Sequence, residues 1–596
     1  MQEKSTAQEA PPTPRPRGRR WRRPLVLVAL IAALALIGGV LGTDGGSTPS
    51  RTTARQASGA PAIDDPGSGG RSAVAERPAR RPNIVVIMAD DMRVDDLRYA
   101  PTVRTVLGEG GVTFDNSFSP FPLCCPARAS FLSGRYAHNH KVLWHYAPYG
   151  FAAFDDSRTI GTSLAAAGYR TAYVGKYLNG YGPMRSLVTG KPSYTYVPKG
   201  WSDWYASVDG GKEVGIHGST YNFFDVPFNI NGRIDNTHRG QYGTDVIGAF
   251  SRRLITRYAA GKQPFFLYTS FVAPHHGGPR EPDDPAPFLD ADNHVRKLNT
   301  TARPDWVKGR FNGVITQAPG LPKDGGPAEA DMSDKPTNLT RFPEPNAAER
   351  AALLNVTRQR AEAVYVLDRQ VARIVATLKR TGAWKNTVLI FTSDNGYFLG
   401  EHRKPDGKVL AHEPSLRVPF LVTGPGVRGG ERRSDPISTV DLTATVLDIA
   451  GARAPHVADG TSRWRSIVQG DQGWTTPVVT EAYKSITGRR TDPNFRAGDA
   501  RSSIGLRTPR YSFTRYMNGQ GELYDLLADP GEFENRFSDP GYASVRAELD
   551  RLWLAVKDCV GTVCRTPLPD DLAATPAEAT HLVEEYWRGI AGIYGG

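Results

Sequence analysis

Three apolar runs, each followed at once by polar residues of ligand-binding type, constrain the fold of this chain most strongly. Residues 83–88, 264–271 and 387–392 are mostly apolar, which is typical of strands that a parallel sheet buries on both faces. Helical patterns lie between them, including a long one over residues 346–380 whose apolar stripe is interrupted only at Arg360. We therefore predict an α/β fold in which a large, mostly parallel central sheet is flanked by helices.

The polar residues at the three strand ends are candidates for a metal site. Asp90 and Asp91 follow the first run, and Asp394 and Asn395 follow the third. Open α/β sheets bind ligands at the carboxyl ends of their strands, and adjacent buried aspartates are costly unless they meet a cation. An all-oxygen set of this kind suits a hard cation. The alternatives are a helix N-cap pair for the two aspartates and a plain Asn-Gly turn after the third strand.

A second candidate centre is Cys124, which belongs to a vicinal pair in a chain with only four cysteines. Pro126 fits the first turn of a short amphipathic helix that ends at Gly134. Cys124 then lies at the helix N-terminus, which favours an anion, and Arg128 lies one turn further along the same face. The residues alone also allow a buried cysteine pair, a metal site or a disulfide.

The spacing Cys-x-Pro-x-Arg, followed by Ser133-Gly134-Arg135, resembles the signature of the sulfatase family, formylglycine-dependent enzymes of the alkaline-phosphatase-like superfamily. The resemblance implies that a formylglycine-generating enzyme oxidises Cys124 to formylglycine (3-oxoalanine). In that family the hydrated aldehyde attacks sulfur with one hydroxyl, and its second hydroxyl then expels sulfate. The Cys-Cys-Pro and His-Asn-His sequences look most like the N-acetylglucosamine-6-sulfatase-like branch, beside the arylsulfatases.

The resemblance covers about residues 81–564, with the motifs in family order, and it implies roles for individual residues. One Ca²⁺ is expected to be bound by Asp90, Asp91, Cys124, Asp394 and Asn395. The expected catalytic residues are Cys124, Arg128, Lys176, His275 and Lys408. Of these, Lys176 and Lys408 contact the sulfate, and His275, with Lys408, protonates the leaving alcohol.

The chain departs from the family pattern at Leu178, where many sulfatases have the histidine of Gly-Lys-Trp-His. The chain therefore has no residue that matches the family's usual base for the release of sulfate. Asn179 is the residue after Leu178. His138 or His140 is a candidate substitute. Either could equally be an ordinary surface or supporting histidine.

The C-terminal part is predicted to form a smaller unit. Residues 81–490 are expected to be the catalytic domain, residues 500–570 an antiparallel α+β subdomain, and residues 571–596 a partly helical tail; Glu-Leu-Tyr-Asp-Leu in the subdomain resembles the family's C-terminal region. Cys559 and Cys564 are expected to form a local disulfide if the protein is exported. The alternative is a pair of free thiols.

The N-terminal part is predicted to direct export. Residues 1–24 are basic, and residues 25–42 form an apolar run that is long for a signal peptide and borderline for a spanning helix. The preceding arginines predict that the N-terminus stays in the cytoplasm. We expect a signal anchor that holds the protein on the outer face of the cytoplasmic membrane, or secretion if the segment is cleaved. Residues 43–80 are expected to be a disordered linker.

The net charge of +12 does not indicate a nucleic-acid partner. Residues 1–81 carry 13 basic and 6 acidic side chains, whereas the other 515 residues carry 60 and 55. The body is thus nearly balanced, and no basic nucleic-acid-binding surface is expected.

Together the motifs predict a sulfuric ester hydrolase that cleaves a sulfate monoester of an aryl alcohol, another small molecule or a glycan. Two alternatives stay open at the level of sequence. The first is a phosphonate or phosphodiester hydrolase on the same fold, because that group can share Cys-x-Pro-x-Arg. The second is a non-catalytic, surface-exposed binding protein in which Cys124 is not converted.

Overall fold

The computed structural model describes residues 81–211 and 214–595. The predicted N-terminal segments 1–24, 25–42 and 43–80 lie outside the described residues. Among the residues that are described, no helix is both long enough and apolar enough to cross a membrane.

Most strands belong to one large sheet. The strands of the described part are β1 (Asn83–Asp90), β2 (Val112–Phe118), β3 (Arg170–Lys176), β4 (Asp203–Ser207), β5 (Phe228–Ile230), β6 (Arg233–Asp235), β7 (Phe265–Pro274), β8 (Phe288–Leu289), β9 (Val295–Arg296), β10 (Thr387–Ser393), β11 (Phe420–Thr423), β12 (Glu431–Ser438), β13 (Val478–Ala482), β14 (Ser503–Arg507), β15 (Tyr511–Tyr516) and β16 (Gly521–Asp525).

The large sheet has ten strands in the order β12-β2-β11-β10-β1-β7-β3-β4-β5-β6. Its centre, from β10 to β4, is parallel throughout. Antiparallel pairs extend it on both sides, at β10–β11 and β11–β2 and at β4–β5 and β5–β6. The predicted α/β class is confirmed, and the parallel character belongs to the strands that carry the candidate site.

Helices cover both faces of this sheet. The α-helices are α1 (Cys124–Ser133), α2 (Ala137–His140), α3 (Ile160–Ala166), α4 (Gly243–Ala259), α5 (Ala347–Arg380), α6 (Glu413–Leu416), α7 (Thr439–Ala450), α8 (Trp464–Gln469), α9 (Ala543–Val556) and α10 (Pro576–Tyr594).

Alternate residues of β1 enter different cores. Val85 and Ile87 pack in a cluster with α4 and α5, whereas Ile84 and Val86 pack in a second cluster with α1, α3 and α7. All four side chains are fully buried. This two-sided burial explains why the strand reads as a continuous apolar run rather than as an alternating one.

A separate small sheet follows in the chain. It has the order β13-β14-β15-β16 and is antiparallel throughout. Its first strand, β13, comes from a segment that sequence analysis assigned to the catalytic domain. Cys559 and Cys564 are joined by the predicted disulfide, with a Cα–Cα distance of 5.0 Å. Helix α9 packs against the sheet through the buried Trp553, whose Nε1–H donates to the carbonyl oxygen of Ile504.

Candidate active site

The parallel centre of the sheet brings the predicted residues to one edge. In the register of β1 and β10, Ala89 pairs with Ser393, so Asp90 and Asp394 leave their strands side by side. In the same way, Asp90 pairs with Pro274 of β7, which places His275 next to the aspartates. Lys176 is the last residue of β3.

The carboxylates at this edge form a buried group that can hold a metal ion. Asp90, Asp91 and Asp394 each offer an oxygen, and these oxygens lie within 4.8 Å of one another. Asp90 Oδ1, Asp91 Oδ2 and Asn395 Oδ1 are buried and have no hydrogen-bond partner. Unsatisfied buried oxygens are rare because each costs free energy. Three of them in one place fit a cation with oxygen ligands.

Three cationic side chains share the site with these carboxylates. Lys176 is ion-paired with Asp90, and Lys408 with Asp91. Arg128 Nε lies 2.7 Å from Asp394 Oδ2. Arg128 is fully buried, and the other two cations are nearly so.

Burial and the neighbouring charges shift the pKa values of Asp90 and Asp91 in opposite directions. Burial and then the neighbouring Asp394 raise the pKa of Asp90 to about 7. Burial would also raise the pKa of Asp91, but Lys408 outweighs it and holds that pKa below its usual range. Bound metal ions favour the ionised form of their carboxylate ligands. A cation at this edge would therefore keep Asp90 ionised.

Cys124 is placed beside this group by the start of α1. The helix begins at Cys124, after Leu123 in extended conformation. The thiol, Asp90 and a nitrogen of His275 lie within 4.8 Å of one another. Burial raises the pKa of Cys124, so the unmodified thiol would be a poor nucleophile at neutral pH. Cys125 instead packs in the core beneath α1, so Cys124 is the member of the pair that lies beside Asp90 and His275.

Lys408 reaches the site from a constrained loop. The N–H of the next residue, Val409, donates to the carbonyl oxygen of Pro122 at 3.0 Å, which ties the loop to the segment before Cys124. Val409 has a φ of 88°, an unusual conformation for a β-branched residue. Such conformations persist where the surrounding structure fixes them, often at functional sites.

His275 lies between the carboxylates and a short backbone contact. Its Nδ1 is 2.6 Å from the carbonyl oxygen of His276, and its Nε2 is 3.6 Å from Asp91 Oδ2. The first contact makes Nδ1 the donor, so Nε2 faces the carboxylates. Burial, together with His276, lowers the pKa of His275 well below 6.5.

Asn179, and not Leu178 at the unmatched histidine position, faces Cys124. Leu178 is buried in the core, whereas the next side chain turns toward the nucleophile. Asn179 Oδ1 lies 3.5 Å from Cys124 Sγ, and its Nδ2 donates to the hydroxyl of Tyr221 at 2.5 Å. The Tyr221 ring lies 4.8 Å from both Lys176 Nζ and the His275 ring. Sequence reasoning gave neither residue a role.

The two histidines considered as substitutes are bound elsewhere. His138 Nδ1 lies 2.8 Å from Glu481 Oε1, and its Nε2 lies 2.6 Å from the carbonyl oxygen of Cys559. His140 Nε2 lies 3.0 Å from Ser130 Oγ. These contacts support α1 and the C-terminal unit. The structure therefore does not support either histidine as the missing base.

Arg360 is a second residue whose role the sequence did not reveal. This buried residue of α5 donates to the carbonyl oxygen of Asp91, to Pro274 O at 3.4 Å and to Asp96 Oδ2 at 3.2 Å. It thus holds the backbone of a candidate metal ligand and that of the residue before His275. The sequence did contain a signal for it, because Arg360 is the single residue that interrupts the apolar stripe of this helix.

Comparison with known families decides the identity of the chain. A family model described as Sulfatase matches residues 82–452, which is more than half of the sequence. The chain belongs to the sulfatase family. A second model, described as N-sulphoglucosamine sulphohydrolase, C-terminal, matches residues 400–558 of this sulfatase. It is an enzyme, a sulfuric ester hydrolase.

Curated relatives of this sulfatase carry related names. An arylsulfatase of Volvox carteri is 30% identical over 534 residues, which cover 82% of this chain and 76% of the relative. An N-acetylglucosamine-6-sulfatase of Capra hircus is 27% identical over 532 residues, which cover 83% and 86%.

Solved structures with similar folds include a protein in complex with its substrate, D-glucosamine-2-N,6-O-disulfate. Its TM-score is 0.58 at 21% identity, covering 79% of this sulfatase and 97% of that chain. A phosphonate monoester hydrolase of Agrobacterium radiobacter has a TM-score of 0.55 at 22% identity, covering 83% and 99%. At these identities the likeness shows the fold, which is alkaline-phosphatase-like as predicted.

Proposed function

We propose that this sulfatase hydrolyses a sulfate monoester of a sugar or an aryl alcohol, using formylglycine at Cys124 beside a bound Ca²⁺. The observation that carries the proposal is the position of Cys124 at a helix N-terminus, within 4.8 Å of Asp90 and His275. Buried carboxylate oxygens without partners and three buried cations surround it.

The residues that would hold the metal are Asp90, Asp91, Asp394, Asn395 and the modified Cys124. Hard oxygen donors of this kind suit Ca²⁺. When bound, the ion supplies positive charge that stabilises the transferring sulfuryl group. Arg360 keeps the Asp91 backbone in place for this purpose.

Formylglycine would supply, when hydrated, one hydroxyl that attacks sulfur and a second that, on losing its proton, expels the sulfate carried by the first and restores the aldehyde. Arg128, Lys176 and Lys408 would neutralise the negative oxygens of the sulfate group, which is the main electrostatic requirement of the transfer. Arg128 is fixed for this task by Asp394 and by Ser270, to which its guanidinium donates. Donation from Lys176 to Asp90 and from Lys408 to Asp91 supports this assignment.

The leaving alcohol must receive a proton, and His275 with Lys408 is placed to provide it. The low pKa of His275 in the protein alone reflects burial and the neighbouring His276. A bound anionic ester favours the imidazolium, because an opposite charge nearby stabilises the charged form.

Asn179 would hold a hydroxyl of the modified Cys124 in place. Its Oδ1 faces the Cys124 side chain, and its Nδ2 is fixed by Tyr221. An amide is not a base, so Asn179 orients the reacting group rather than removing its proton. It is a positioning residue in the place of the missing histidine.

Variants of Cys124 test the proposal. Cys124→Ala and Cys124→Ser should abolish turnover of a sulfate ester while the thermal unfolding transition is retained, because neither side chain has the thiol that a formylglycine-generating enzyme oxidises. Mass spectrometry of the peptide over residues 121–128 should show that the wild type has lost the thiol sulfur and two hydrogens and gained an aldehyde oxygen. Full activity of Cys124→Ala, or an unconverted and active wild type, would refute the mechanism.

A second candidate activity is hydrolysis of phosphonate monoesters or phosphodiesters, because a phosphonate monoester hydrolase shares the fold. The names of the relatives favour hydrolysis of a sulfate ester. Rates on an aryl sulfate and on the matching aryl phosphodiester separate the two activities. A higher kcat/KM for the phosphodiester would replace the proposed function.

We further propose that the enzyme matures and acts outside the cytoplasm, after conversion by a formylglycine-generating enzyme. The basic and apolar segments over residues 1–42 support export. The disulfide Cys559–Cys564 supports it too, because disulfides persist in oxidising compartments. Digestion of intact cells with an external protease should cleave the protein, and full protection would contradict the proposal.

A further inference from the structure

Three half-buried aromatic side chains pack against the apolar cluster to which Leu123 and Cys124 belong. They are Trp144, Tyr149 and Tyr483, here called the aromatic patch. The Tyr483 ring lies 5.6 Å from Trp144 and 5.2 Å from Tyr149, in edge contacts. The patch joins the segment after α2 to the residue that follows β13 of the small sheet.

An exposed cation completes this surface. Lys484 Nζ lies 5.5 Å from the Trp144 ring and 5.4 Å from the Tyr483 ring. Lys484 has a φ of 58°, a conformation that non-glycine residues adopt mainly where the surroundings impose it. Its side chain therefore extends from a fixed backbone position over the patch.

His145 lies between the sequence neighbours Trp144 and Tyr146 and packs against the patch. The His145 ring lies 4.4 Å from Trp144. Burial, and then Lys408, Lys176 and Lys484, lower the pKa of His145 to about 4. The lysines of the site and Lys484 thus all lie near enough to His145 to lower its pKa.

We propose that the aromatic patch and Lys484 form a subsite for a sugar ring that carries a second anionic group, next to the sulfate that is cleaved. The inference rests on the proposed function. Sugar rings place their C–H faces on aromatic side chains and their hydroxyls against polar groups. Tyrosine hydroxyls and a lysine around the rings suit such a ligand better than an aliphatic chain, which needs a wholly apolar groove.

The aromatic contact is tested with Trp144→Ala and Tyr483→Ala on glucosamine 6-sulfate. Each variant should raise KM about 2- to 10-fold, as expected for loss of one aromatic contact. Inorganic sulfate fills only the buried pocket, so its inhibition constant should stay within about twofold. An unchanged KM overturns the inference. So does a sulfate inhibition constant that rises by the same factor as KM, since that outcome indicates general damage to the pocket.

The charge is tested with Lys484→Ala on sugars with one and with two anionic groups. For glucosamine-2-N,6-O-disulfate, KM should rise about 2- to 5-fold, and the rise should shrink in high salt. For glucosamine 6-sulfate the rise should be smaller, because this sugar has no second anionic group. A 6-sulfated sugar linked to a uronic acid distinguishes a carboxylate from a sulfate as the second anion. Equal effects on the mono- and dianionic sugars would overturn the assignment of Lys484.

A matched pair on the other face of the sheet controls for loss of exposed aromatic and cationic side chains. Trp306 is 54% exposed, and Arg369 of α5 lies 4.9 Å over its ring. Trp306→Ala and Arg369→Ala should leave every KM unchanged. A wild type that cleaves an aryl sulfate but no sugar sulfate overturns this inference and leaves the proposed function standing. A wild type without activity on any sulfate ester refutes the proposed function itself.

Discussion

At the scale of residues, the site balances charge in pairs that substrate and metal would rearrange. Three buried carboxylates face three cations, and the formal charges cancel: Asp90, Asp91 and Asp394 against Arg128, Lys176 and Lys408. A neutral cluster gives an anionic ester little attraction. A divalent cation on the aspartates would release Lys176 and Lys408 from their pairs and leave a net positive pocket.

Removal of divalent cations should therefore reduce both activity and stability. A chelator should lower the thermal midpoint, and added Ca²⁺ should restore it. At a Ca²⁺ concentration a thousandfold above its Kd, the stabilisation is about 4 kcal/mol. Differential scanning calorimetry with and without Ca²⁺ measures it.

A second acidic group provides the control for this prediction. Glu281, Asp283 and Asp284 also lie close together, but Asp283 is ion-paired with Arg303 and its side chain is 47% exposed. Asp283→Asn should keep the full Ca²⁺ effect, whereas Asp394→Asn should lose most of it. A thermal midpoint that does not respond to Ca²⁺ in the wild type would contradict the metal assignment.

Asn179 gives the second prediction at this scale. Asn179→Ala should lower kcat about 100-fold, as losses of single preorganised groups do, while KM changes less than about twofold. Tyr221→Phe should have a smaller effect, about 5-fold, because the amide keeps its place and loses one neutral hydrogen bond. Peptide mass spectrometry should show unchanged conversion of Cys124 in both. Reduced conversion would mean that Asn179 acts in maturation and not in positioning.

At the scale of elements, the strand ends were predictable and the supporting contacts were not. Continuous apolar runs identified β1, β7 and β10, because burial on both faces leaves a strong signal. Parallel pairing then required their carboxyl ends to meet, which brought Asp91, His275 and Asp394 together.

The positions of Asn179 and Tyr221 could not be predicted in this way. They depend on how the chain turns after β3, where Leu178 enters the core and the next side chain faces Cys124. The apolar periodicity of the sequence does not show which of two adjacent side chains faces the site. Arg360 did leave a trace, since a buried charge in an apolar helix stripe requires partners.

Arg360 carries the prediction for this scale. Arg360→Met should lower the free energy of unfolding by about 3 kcal/mol, because Asp96 and two backbone carbonyls lose a buried donor. It should also reduce activity, since Asp91 is no longer held. Urea unfolding and kcat/KM measure the two effects.

Arg373 of the same helix is the matched control. Its side chain is 47% exposed, and it lies 3.5 Å from Asp245. Arg373→Met should change stability by less than about 0.5 kcal/mol, as surface substitutions usually do. If the two variants lose equal stability, the buried contacts of Arg360 are not its main contribution.

At the scale of the whole molecule, buried ion pairs connect the large sheet to the small one. Glu413 of α6 bonds to Arg507 of β14 at 2.7 Å, and His412 Nε2 lies 3.1 Å from Glu522 Oε1 of β16. Glu522 also accepts hydrogen bonds from Tyr516 and Tyr524. All these groups are buried. Their protonation therefore links the docking of the C-terminal unit to pH.

The pair His412–Glu522 sets the direction of that pH dependence. Burial alone would lower the pKa of His412, but Glu522 outweighs it and raises the pKa to about 9. Burial would raise the pKa of Glu522, but His412 lowers it to about 2. The histidine contributes stability that is complete below its unfolded pKa of about 6.5 and is lost as the pH rises through about 9. The glutamate contributes stability that is complete above about 4.5 and is lost as the pH falls through about 2.

The free energy of unfolding should therefore fall by up to about 3 kcal/mol between about pH 6.5 and pH 9 through His412. Burial raises the pKa of Glu532 to about 7. Through this group the free energy of unfolding also falls as the pH rises from about 4.5 to about 7, which lies mainly below the range of His412. His412→Gln removes only the titrating imidazole, so its stability should decline less than that of the wild type above about pH 6.5. Urea unfolding across this range measures the difference. Parallel curves for the two proteins would show that His412 does not couple the two sheets through its charge.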